Sequence, residues 1–193
     1  VANISSNTFN GKGEDVEAHV SGMLDKFAAQ VEALDEVAHV VLKGHLLIEE
    51  WLTRAIAQHL FHPEHVNDDG RLSFSQKTAL ARSLGLRKNT SGMWELIAAV
   101  NGLRNELAHS LDSPRRLKKL EKLKAIYFRE THGLQDSEQM KNWPDALLVR
   151  RVCALCLGFL SSFAQDSFQL RKLIHEIDRN LNPQLPEIQL ILP

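Results

Sequence analysis

Cysteine is nearly absent: the 193 residues hold only Cys153 and Cys156. One C-x-x-C excludes a disulfide scaffold, and a zinc centre needs about four ligands, usually with a second such pair. The pair lies in "RRVCALCLGFL", an apolar helical run rather than a strand-helix junction, and reads as two buried core thiols. Strand signals are almost missing too. Outside the C-terminal "EIQLILP" no alternating Val/Ile/Thr/aromatic run is bounded by turns, and there is no internal repeat or low-complexity segment, so an all-α fold is expected. No apolar run approaches the roughly 20 residues that span a bilayer. The opening "VANISSNTFNGKGED" lacks the basic-then-apolar order of a secretory signal. A cytoplasmic protein with no membrane partner is therefore expected. Neither charge sign dominates: 23 Lys and Arg stand against 24 Asp and Glu, a formal net charge of -1, which alone neither requires nor excludes nucleic acid.

The distribution of charge says more than its sum. From Glu14 to Glu50 nine acids face only Lys26 and Lys43, whereas from Asn101 to Glu130 eight bases face four acids. Helical periods and their punctuation organise the chain between these poles. A flexible tail is expected over 1–13, one helical domain over 14–181 and an extended, apolar tail over 182–193. Within the domain, a first helix covers about 14–34. Asp35 caps a second through "EVAHVVLKGHLLIEEWLTRAIAQHLF", with Val37, Val41, Leu46 or Leu47, Trp51 and Ile56 on its apolar side. "HPEHVNDDGR" breaks the pattern with Pro and an Asp-Gly turn. Ser73 opens a short helix to about Leu84, and a further helix covers about 92–111. Ser113-Pro114 starts a basic helix to about Arg129, and the last long helix covers about 145–180.

The segment "LRNELAHS" holds either a catalytic constellation in Arg104, Asn105 and His109 or three polar residues on a solvated or dimer-bridging face. At about 100° per residue, Met93, Leu96, Val100, Leu103, Leu107 and Leu111 form one apolar stripe. Counted round the helix from Leu103, the sequence Arg104, Ala108, Asn101, Asn105 and His109 runs from about 100° to about 240°. The polar residues thus occupy the face opposite the core. Asn105 and His109 are four apart and within reach, and the small Ala108 leaves room for another helix.

Arg104-Asn105-x-x-x-His109 on a long helix of a small all-α domain resembles the HEPN superfamily (higher eukaryotes and prokaryotes nucleotide-binding). Its hallmark is Arg, four to six residues, then His, often with Asn directly after the Arg. The upstream "GHLLIEEWLTRAI" and "LSFSQKTALARSLGL" look like the acidic second helix and the F-x-x-K helix of a bacterial branch of that family, and the resemblance runs from about Asp35 to Leu111. It implies a homodimer joined through the motif helices and a metal-independent endoribonuclease, a toxin-like effector in stress response or phage defence. RNA would be the substrate, an antitoxin or other protein a partner, and no cofactor or metal is needed.

What the resemblance implies for these residues follows ordinary chemistry. RNA brings its own nucleophile, the 2′-OH. His109 suits proton transfer because imidazole titrates near neutrality, Arg104 suits a charged phosphate through its planar fork of donors, and Asn105 would orient His109. Arg115, Arg116, Lys118, Lys119 and Lys122 either carry the RNA backbone toward the cleft or form an ordinary solvated face. Glu49 or Glu50 either supplies a supporting carboxylate for Arg104 or lies at the surface. Family members paired with nucleotidyltransferases carry Tyr two residues after the His; Leu111 stands there, which argues against silencing by tyrosine modification. Other members, the mannitol operon repressor family among them, are non-catalytic dimers, so a regulator or adaptor binding a protein or nucleotide is the alternative. His59, His62 and His65 suggest a metal cluster by type, but Pro63 breaks their helical spacing. Trp51, Trp94 and Phe128 read as core or interface anchors.

Overall fold

Helix α1 (Glu36–Ala57) shows how the interior is selected. Its buried residues, Ala38, Val41, His45, Ile48, Leu52 and Ala55, recur every three or four positions, as one face of a helix requires. That stripe is rotated from the expected one. Leu46 and Leu47 are 65% and 48% exposed, while His45 is buried in their place. Gly44 explains the rotation, because any Cβ there would collide with Cys153 Sγ, so the glycine lets two helices approach closely.

In the computed structural model, residues 36–67, 72–109, 114–133 and 139–186 are described, all within the compact unit Glu36–Pro193. After α1 come a one-turn α2 (Glu64–Asn67), α3 (Phe74–Leu84), α4 (Met93–His109), α5 (Pro114–Glu130), a 3-10 turn (Gln139–Asn142) and α6 (Asp145–Leu181). No strand occurs among the described residues, and the fold is all-α. The expected helix over 14–34 and both outer tails lie outside the described residues, apart from 182–186.

Local chemistry sets the ends. Ser73 caps α3 by accepting from the Gln76 amide while Gln76 Oε1 accepts from the Ser73 N–H, a reciprocal capping box. Pro114 opens α5 at the first helical position, where its missing N–H breaks no helical bond. The 3-10 turn and α2 are additions to the expected order.

Helix α6 is the spine. Leu148, Val149, Val152, Cys156, Leu160 and Phe163 are buried along it, and it runs parallel to α1, from the Arg150–Glu36 pair at one end to the Ser167–His59 hydrogen bond at the other. Both cysteines are free and buried, and burial pushes the Cys153 thiol up to about 11 and Cys156 higher still, so both stay protonated and unreactive at neutral pH. By length and composition α6 is long and apolar enough to cross a membrane, contrary to the expectation that no apolar run approaches that length. Within the fold 44% of its most apolar stretch is buried, and that side forms the core of the bundle.

Candidate functional site

The site is built on α4. Leu96, Val100, Leu103 and Leu107 are buried, while Asn105, Ala108 and His109 are exposed and Asn101 and Arg104 half-buried. The two faces separate as the helical wheel expects; Leu111 lies outside the described residues. Arg104 Nη1 donates to Asn105 Oδ1 at 3.2 Å. Among the described residues no hydrogen bond joins His109 to Arg104 or Asn105. Five residues of helix set Arg104 and His109 about 7.5 Å apart along the axis and about 140° apart around it. One chain therefore displays the pair without closing it.

Behind the motif lies a polar contact that sequence reasoning misses. His45 Nε2 is 3.1 Å from Asn101 Oδ1, and its ring stacks on Phe74 with centroids 4.3 Å apart. With Nε2 carrying the hydrogen, the imidazole donates and Asn101 accepts. Burial lowers the His45 pKa below its ordinary 6.5; the Asn101 hydrogen bond opposes this, Arg104 lowers it further and Glu49 raises it. His45 is thus neutral at pH 7, and Arg104 and Glu49 both lie close enough to act on it. Its helical register with Val41, Ile48 and Leu52 is the one signal that points to it.

The two upstream segments interlock at this point. Phe74 and Lys77 sit one turn apart on α3; Phe74 stacks on His45, and Lys77 Nζ pairs with Glu49 at 2.9 Å. Glu50 instead pairs with Arg54 one turn along α1, at 2.7 Å and in the open. Among the described residues neither carboxylate hydrogen-bonds Arg104. Glu49 belongs to the site's surroundings through Lys77 and His45, and Glu50 faces solvent.

Helix α5 packs against α4 through Leu120, Leu123, Ile126 and Tyr127. Arg115, Lys118, Lys119 and Lys122 are exposed on it and Arg116 is half-buried. Lys119 leans over Gly102, where a Cβ would stand 3.8 Å from its Nζ, and so lies beside the motif helix. Two other bases serve the fold: Lys124 pairs with Asp145 at 2.7 Å, and Arg129 with Glu95 at 2.7 Å. Of the three histidines that cluster in sequence, His59 is held between the Ala55 carbonyl and Ser167 Oγ, and His62 pairs with Glu64 at 3.1 Å. Among the described residues no group of three or more His, Cys, Asp or Glu is placed to hold a metal. Trp94 is a core anchor, wedged edge-on against Phe159 and Phe163 with its indole N–H donated to the Lys88 carbonyl.

Comparison with known proteins returns no matching family model, no matching curated protein and no matching solved structure.

Proposed function

We propose that the protein is a HEPN-like, metal-independent endoribonuclease whose site is completed by a second copy. The observation that carries this reading is the divergence of Arg104 and His109: both are displayed on the outer side of α4, yet Arg104 turns to Asn105. Two α4 helices packed about a two-fold axis would bring Arg104 of one copy toward His109 of the other, with the exposed Ala108 at the closest approach. The interlocked pairs His45–Phe74 and Glu49–Lys77 support the resemblance of the two upstream segments to that family.

In the completed site, His109 takes the proton from a ribose 2′-OH as that oxygen bonds to phosphorus. Arg104 stabilises the added charge on the phosphate oxygens. The bond from phosphorus to the 5′-oxygen breaks, the imidazolium returns its proton to that oxygen, and a 2′,3′-cyclic phosphate remains. Nothing in the sequence of steps calls for a metal. Lys119 and its neighbours on α5 approach from the side and hold the backbone by charge. Such a nuclease fits a cytoplasmic effector in stress response or phage defence held in check by a protein partner.

The test is assembly together with product. Wild-type protein is expected to be a dimer by light scattering and to cut single-stranded RNA in EDTA to cyclic phosphate ends, while Ala108→Glu is monomeric and inactive. A monomeric wild type at micromolar concentration removes the composite site. A dimer that leaves RNA intact favours the regulator.

A further inference from the structure

Beside the motif, α3 and α4 leave a groove. Phe74 at the start of α3 and Asn101 far along α4 meet at His45, while Arg82 near the end of α3 donates to the Asn89 carbonyl just before α4, so the helices run antiparallel. Small residues face each other between those ends, chiefly Ala79 and Ala98, and the space they leave is about 540 Å³. That is the size of a small-molecule site, and its wall is mostly apolar with polar groups at the ends, as such sites are. Trp94 and Phe74 border the apolar part.

The groove ends beside the candidate site, at Asn101, one helical turn before Asn105. On α4, Ala98, Asn101, Asn105 and His109 follow at three- and four-residue steps, so they lie along one face. From Ala98 to Asn105 the rise is about 10 Å, and from Asn101 to Asn105 about 6 Å. A ligand spanning both places has a flat apolar part beside Ala98 and an anionic part beyond Asn101. The Asn101 amide, whose Oδ1 is occupied by His45, offers its NH2 at the near end. Arg82 supplies a cation at the far end, and the Glu95 carboxylate on that rim is already engaged by Arg129, which limits its repulsion of a polyanion.

We infer that this groove seats one unpaired base of a single-stranded RNA, next to the phosphate presented to Arg104 and His109. This rests on the ribonuclease reading and adds to it a base-reading subsite, hence a sequence preference. An unstacked base has the required shape, with an apolar face for Ala79 and Ala98 and hydrogen-bonding edges for Asn101.

Binding is separable from cutting, and the experiment uses that. In the full-length His109→Ala protein, labelled oligo(A), oligo(C), oligo(G) and oligo(U) are titrated by fluorescence anisotropy. The four are expected to differ by about fivefold or more in Kd, since one net hydrogen bond from Asn101 to the right base edge is worth roughly that factor. Adding Ala98→Trp fills the groove and is expected to weaken the best binder about tenfold and level the four; Ala79→Met, from the opposite wall, should do the same to a lesser degree. Circular dichroism checks that each variant folds, and the second wall serves if the first variant does not. Equal affinities in both backgrounds overturn the groove. If the groove discriminates but the wild-type chain cuts no RNA, the ribonuclease reading fails and the subsite stands. If wild type cuts RNA and Ala98→Trp leaves rate and preference unchanged, the subsite fails and the nuclease stands.

Discussion

His45 and His109 sit on neighbouring helices and meet opposite conditions. His45 is 5% exposed, stacked on Phe74, bonded to Asn101 and held neutral by burial. His109 ends α4 in the open. A buried imidazole with its hydrogen bond satisfied is fixed in tautomer and orientation, so it positions α4 against α1 and α3 but reaches no substrate. An exposed imidazole at a helix C-terminus can change protonation and meet a phosphate, but it contributes little to the fold. The motif and its support are therefore separate structures: the proposed chemistry on the outer face of α4, and placement of that face from behind.

Activity and stability should part most widely at the motif. Arg104→Ala and His109→Ala are each expected to lower RNA cleavage by about 10²-fold or more, the usual cost of removing a charge-stabilising or proton-transfer group. Because neither side chain lies in the core, their melting temperatures should stay close to wild type, as differential scanning calorimetry will show. A large drop in melting temperature would place these residues in the scaffold instead.

His45→Ala should do the reverse. It leaves a void beside Phe74 and strips Asn101 of its partner, for an expected loss of about 2–3 kcal/mol in urea unfolding. A near-neutral result would remove His45 as the positioning element.

Acid should then reveal the same residue more gently. The folded pKa of His45 is lowered, so below pH 6.5 the unfolded chain binds a proton that the folded site refuses. Its contribution is present above 6.5 and is lost as pH falls through the folded value. Melting temperature is expected to decline from about pH 6.5 downward, above the range where Glu64 and Glu95, both lowered, begin to protonate. His45→Leu should flatten that upper part of the profile, and an unchanged slope would contradict the assignment.

The smallest effect belongs to α5. Changing Arg115, Arg116, Lys118 and Lys119 to Gln should weaken RNA binding and reduce the slope of log Kd against log salt, by up to about 0.7 for each phosphate that is no longer neutralised. An unaltered slope would leave these residues as a solvated helix face.

Helix order and most boundaries are legible in the sequence because they depend on short-range signals. The Ser73 cap, Pro114 at a helix start and the stripe from Met93 to Leu107 each act within a turn or two. The phase of α1 is not legible. Leu46 and Leu47 outrank His45 in hydrophobicity, and the approach of Cys153 to Gly44, the stacking on Phe74 and the pairing with Asn101 turn His45 inward on the register of Val41, Ile48 and Leu52. The motif's exposed face and the i,i+4 pair of Glu50 with Arg54 are readable from helical spacing, whereas the tie of Glu49 to Lys77, 28 residues away, depends on a tertiary contact that spacing does not encode.

If each catalytic site draws Arg104 from one copy and His109 from the other, two defective proteins should repair each other. Arg104→Ala and His109→Ala proteins, each inactive alone, are mixed in equal amounts, allowed to exchange subunits and assayed on single-stranded RNA in EDTA. Half the dimers are then mixed, and each holds one intact composite site of two, so activity should return to about a quarter of wild type. A mixture that exchanges subunits yet stays as inactive as its parents, while wild type cuts RNA, would contradict the shared site.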